Sequence, residues 1–199
     1  MWPDNLAANP VGWKLALASL LLLFSVIGLF DYLDPKRPII DDLNSEGKKR
    51  YFSTDTSFGY GPAKLFRMLG TYDQPRHFDA HRRFIKYDLG FAVLYALASA
   101  IIIVYLQNEL AHTPGDPSRP EYLWLVPLIA GAFDILEGVS MWCVLDAYKT
   151  GTPRDLPTAM ATVSSLMTMG KILFLVATFI LLLTGGVALV LKKVWNLQL

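Results

Sequence analysis

One cysteine in 199 residues excludes an intramolecular disulfide, because Cys143 has no second thiol in its own chain. No Asn-x-Ser/Thr sequon occurs, so N-glycosylation is not expected. The chain has no Gly-rich phosphate loop and no Gly-x-Ser-x-Gly nucleophile motif. Charge is scarce: Asp, Glu, Lys and Arg make up 18% of residues, against about 25% in soluble domains. The net charge of +1 gives no electrostatic case for a nucleic-acid partner.

What the chain has instead is long apolar runs, with 53% hydrophobic residues overall. Runs of this length suit the hydrocarbon of a bilayer. The expected fold is an all-α integral membrane four-helix bundle forming one domain over residues 1–199. Spans are expected near 15–33, 84–106, 122–145 and 158–191, with a long, partly structured loop over 34–83 between the first two. The first run follows a weakly basic start and carries no Ala-x-Ala site after it, so it reads as an uncleaved span. Pro127 is expected to bend the third span. The fourth exceeds a simple crossing, which implies tilt or fraying near Gly185-Gly186.

Within the loop, Pro62 to Gly70 reads as a short amphipathic helix, with Pro at its start and Gly at its end. Leu65, Phe66 and Leu69 are expected to rest in the membrane surface. Asp41 to Arg50 reads as solvated chain. His77 and His81 have the i,i+4 spacing of a helical metal pair, but no third ligand stands at a telling distance. A solvated segment is the preferred reading, and no metal or other cofactor is assigned. His112 stands alone in a short loop. Met160, Met167 and Met169 read as packing groups, and Trp2, Trp13, Trp124, Trp142 and Trp195 mostly as interface anchors. Lys64 to Lys86 would attract anionic lipid, but histidines and acids within it dilute the effect.

Four spans place loops 34–83 and 147–157 on one side, with twelve Lys/Arg, and the termini and loop 107–120 on the other, with four. The positive-inside rule puts the basic loops in the cytoplasm. A multi-pass membrane protein is the expected setting.

The informative residues are the charges inside the apolar runs. Asp134 and Glu137 are three residues apart and share a helix face. At 1.5 Å per residue from the basic side, Asp88 lies about 6 Å deep, Glu137 about 13 Å, and Asp134 and Lys171 about 18 Å. Equal depth makes an Asp134–Lys171 ion pair an expectation for adjacent helices, and the short 147–157 loop makes the third and fourth spans neighbours. Ser164, Thr168, Lys171 and Thr178 fall on one face of the fourth span, and Tyr95 shares the Asp88 face of the second.

Buried ionisable groups are costly and read as functional by default. Asp134, Glu137 and Lys171 are therefore the candidate catalytic residues, with Asp88, Tyr95, Ser164 and Thr168 as candidate ligand-binding residues. The leading expectation is a polar pocket for a small lipophilic molecule or lipid, with acid–base catalysis as an added step. Glu137 or Asp134 would move the proton, Lys171 would tune the acid or hold an anionic headgroup, and Asp88 would stand at the mouth. One alternative is an accessory or structural subunit whose charges only lock helices together. Another is a proton- or cation-coupled transporter. Expected partners are membrane lipids or the lipophilic ligand, with a second copy or another membrane protein as further partners.

The arrangement of Asp88 and Tyr95, Pro127, Asp134 and Glu137, Pro153 and Pro157, and Lys171 resembles a small bacterial four-helix integral membrane family of unassigned activity. The likeness covers residues 83–180 and departs at Gly138, where that family's pattern has Asn. It implies a polar cluster between helices and adds no chemistry. At the level of architecture alone, the chain is also similar to the emopamil-binding sterol isomerases, small membrane bundles with acidic residues in a lipid-accessible pocket.

Overall fold

The computed structural model describes residues 10–33, 59–70, 72, 75–111, 121–150 and 155–196. Most of the expected loop (34–58, including Asp41 to Arg50), Trp2, His112 and Pro153 lie outside the described residues. Among the described residues the chain is all-helical, with no strand. The helices are α1 (Pro10–Leu33), α2 (Pro62–Leu69), α3 (Pro75–Leu110), α4 (Leu125–Thr150) and α5 (Asp155–Asn196).

Proline sets several of these starts. α1, α2 and α3 each open on Pro, whose fixed φ suits the first helical position and whose missing N–H has no partner there anyway. Pro127 and Pro157 fall third in α4 and α5, still within the first turn. The bend expected at Pro127 is therefore replaced by a helix beginning, because no intrahelical hydrogen bond is lost at that position.

Three helices are long and apolar enough to cross a membrane: Arg76–Leu110, Leu125–Tyr148 and Thr158–Trp195. α3 begins about two turns earlier than the apolar run alone indicated, and α5 extends past both of its expected ends. Charged side chains at those ends do not interrupt a helix; they only end its apolar stretch. α1 is a 24-residue helix with a shorter described apolar part, Gly12–Ser25.

The chain packs as two units. One comprises residues 1–27, 93–131 and 173–199. Here α3 turns Ala96, Ser99 and Ala100 inward, small residues that allow close helix approach, with Ile103 buried beside them. A Cβ on Gly185 would come within 3.1 Å of Leu106 Cδ1. Lys192 Nζ donates to the Glu109 carbonyl at 2.7 Å. On α5, Leu173, Val176, Phe179 and Leu183 are exposed, an apolar outer surface suited to lipid.

The other unit comprises residues 28–92 and 132–172. Its core joins Tyr60, Leu65, Leu69, Tyr72, Phe84, Met141 and Leu145. α2 is entered through a tight turn. Gly59 has φ +71°, a left-handed value that favours glycine. The Gly61 carbonyl accepts from the N–H of Lys64 at 3.0 Å. At the other end, Gly70 N–H donates to the Phe66 carbonyl at 2.9 Å.

Two expectations are corrected here. Leu65 and Leu69 are fully buried against protein, with Phe66 packed beside that core, so the apolar face of α2 is covered by α3 and α4 side chains instead of lipid. His77 and His81 are likewise buried, not solvated. The same i,i+4 face of α3 that carries them carries Ala80, Phe84 and Ile85, and the face turns inward as a whole. Tyr72 meets both imidazoles: its hydroxyl lies 2.9 Å from His81 Nδ1, and its ring stands edge-on to His77.

Candidate functional site

The site lies wholly within the second unit, between α4 and α5. Asp134 and Glu137 project from one face of α4, and Lys171 from α5. Lys171 Nζ is 2.7 Å from Asp134 Oδ1 and 2.8 Å from Glu137 Oε2. All three are buried, at 3%, 3% and 6% exposure. One ammonium thus stands between two carboxylates in a setting that excludes water. Ionised throughout, the triad carries a net negative charge, which a buried site resists unless a proton or another cation joins it.

Hydroxyls extend the triad along α5. Thr168 is fully buried, one turn before Lys171, and its hydroxyl reaches Glu137 Oε1 at 2.7 Å and the Ser164 carbonyl at 3.0 Å. A single O–H serves these two acceptors in turn or as a shared bond. Ser164 Oγ is 2.6 Å from the Tyr60 hydroxyl, and the Tyr60 backbone N–H donates to Ser165 Oγ at 2.8 Å. The short stretch before α2 is therefore fastened to α5 by two hydrogen bonds beside the charged cluster.

The structure brings together Asp134, Glu137, Lys171, Thr168 and Ser164. Asp88 is half-buried on α3 in the same unit, and Tyr95 is buried in the other unit. Tyr60 and Ser165 were not singled out by sequence. Tyr60 sits in a Gly-Tyr-Gly-Pro turn that gives no periodic signal, and Ser165 is off the strict Ser164–Thr168–Lys171 spacing. A separate polar set joins α3 to α4: Arg82 pairs with Asp146, which also accepts from Trp142 Nε1 at 3.0 Å. No group of three metal-ligating side chains gathers at His77 and His81, or elsewhere, among the described residues.

Close approach of the helices makes the ion contacts reachable. A Cβ on Gly170 would lie 2.8 Å from two carbons of the Phe133 ring. Gly170 and Phe133 are the chain neighbours of Lys171 and Asp134, so the contact and the ion pair share one spacing. Gly170→Ala should therefore cost about 1–3 kcal/mol by overpacking. Gly170→Ala/Phe133→Ala, measured by unfolding in mild detergent, should behave less badly than the two single changes added together. Additive effects would mean that the two residues do not touch. Gly138 has a related role: a Cβ there would meet Leu89 Cδ2 at 3.1 Å. An Asn at that position would require Leu89 to move, which gives the Gly a packing reason.

No protein-family model, curated protein or solved structure matches the chain.

Proposed function

We propose that this chain is an integral membrane protein, a bundle of α1, α3, α4 and α5. In this reading its Asp134–Glu137–Lys171 triad forms a polar site for a small lipophilic molecule and exchanges a proton with it. The observation that carries the reading is the charge imbalance: two buried carboxylates share one ammonium at 2.7 and 2.8 Å. A site of this kind holds one proton to give, or takes a ligand that brings positive charge. Glu137 is the proton-transfer group, because Thr168 and Lys171 address its two oxygens separately. Lys171 holds the neighbouring Asp134 carboxylate in place through their 2.7 Å contact. The setting is a bacterial inner membrane, with the basic segment 34–83 on the cytoplasmic side.

A second reading is favoured by one observation: Lys171 already contacts both carboxylates. In that case the triad is a lock that holds α4 on α5 in an accessory subunit.

Native mass spectrometry in mild detergent separates the two. Glu137→Gln leaves a one-to-one Asp134–Lys171 pair, so it should fold. A discrete lipophilic molecule retained by the wild type, and lost at least tenfold in Glu137→Gln at unchanged thermal stability, is the expected result. Bulk lipid alone on both proteins, with an intact fold, overturns the ligand site and leaves the lock.

A further inference from the structure

We propose that the exposed cations of α2 and of the first turns of α3 form a seat for anionic phospholipid headgroups, centred on Arg83 and Lys86. The inference is independent of the triad's role. By composition, the stretch from Lys64 to Lys86 is mixed, with cations, acids and two histidines. Folding sorts it. His77 and His81 turn inward, and Arg82 is engaged with Asp146. Over residues 76–86 the exposed positions of α3 are Arg76, Asp79, Arg83 and Lys86, at helical spacings of three, four and three. On α2, Lys64 and Arg67 are exposed opposite the buried Leu65, Met68 and Leu69. Among the described residues of this stretch, the exposed face is mainly cationic, and Arg83 and Lys86 lie on it one turn apart.

Position along α3 favours lipid over an acidic protein or a nucleic acid. Just past Lys86 the exposed side chains become Tyr87, Val93, Leu94 and Leu97. The cations stand where the outer face of the helix changes from charged to apolar, the level at which headgroups meet hydrocarbon. Lys86 Nζ also lies 5.6 Å from the centroid of the Trp142 ring, and Arg82 lies 5.9 Å from it. Lysine and arginine beside tryptophan suit the boundary, with the stem on apolar surface and the head toward phosphate. Arg76 is about 10 Å from Arg83 and about 15 Å from Lys86 along the axis. It therefore acts through the field, and Arg83 and Lys86 make contact.

The test uses the full chain in nanodiscs of phosphatidylcholine with phosphatidylglycerol, followed by native mass spectrometry of the lipid retained. Wild type should hold phosphatidylglycerol in preference to phosphatidylcholine. Arg83→Gln/Lys86→Gln should lose about fivefold of that preference per cation removed. Because both side chains are exposed, its thermal stability should match wild type. Salt at about 0.5 M should weaken the preference in wild type. Lys193→Gln, an exposed cation at the far end of α5, should as a control leave it unchanged. Equal retention of the two lipids by wild type overturns the proposal, as does a variant that keeps full preference. So does selective capture of an acidic peptide or RNA with no lipid preference.

Discussion

Lys171→Met is expected to cost the fold about 3–5 kcal/mol, because it strands two buried carboxylates without their cation. The substitution keeps length and apolar volume, so little of the loss comes from packing. Lys171 is 6% exposed, and its Nζ is the group within 3 Å of both acids. Reversible unfolding by SDS titration in mild detergent reads the effect directly. Asp134→Asn/Glu137→Gln/Lys171→Met should recover much of the loss, since no ion is left to desolvate; neutral replacements of buried ion pairs are often tolerated. The paired comparison separates charge from shape. A Lys171→Met protein as stable as wild type would show that water or lipid headgroups reach the carboxylates.

Leu69→Ala is the second large effect, at about 2–5 kcal/mol. Leu69 is fully buried in the core that joins α2 to α3 and α4. Truncation leaves a cavity that a short helix held at both ends collapses into poorly. Phe179→Ala on α5 is the matched control: Phe179 is 65% exposed, so its change should fall within about 0.5 kcal/mol. If α2 lay on the membrane surface, Leu69→Ala would resemble the control. Equal, small effects at the two positions would return α2 to the interfacial position that its sequence suggests.

Much of the helix inventory is legible in the chain. Hydropathy marks the three long helices, and the Pro and Gly flanks mark α2. Equal depth along two helices is also what brings Asp134 opposite Lys171, a relation that linear arithmetic captures once the helices are neighbours. The failures share one cause. Amphipathicity says that Leu65, Leu69, His77 and His81 face something, but not whether that is lipid, water or protein. Tyr72 decides the matter for the histidines, and it sits in a short connection with no periodic pattern. The Tyr60 contacts to Ser164 and Ser165 join positions more than a hundred residues apart, and no local rule reaches that far. What reaction or ligand the triad serves is a further step, because the same ion contacts suit a proton-exchanging site and a helix lock.

The Tyr60 fastening also has a consequence for biogenesis. Its partners on α5 follow it by 104 and 105 residues. At about 5–20 residues per second, a ribosome needs roughly 5–20 seconds to deliver them after Tyr60 has emerged. Through the first part of that interval α2 exists without α4, and through all of it without Ser164 and Ser165, so its entry turn is not fastened. The fastening of that turn is then a late event, completed after α5 is made. Nascent chains arrested before α5 should be cut more readily at the Tyr60 turn than chains released after it.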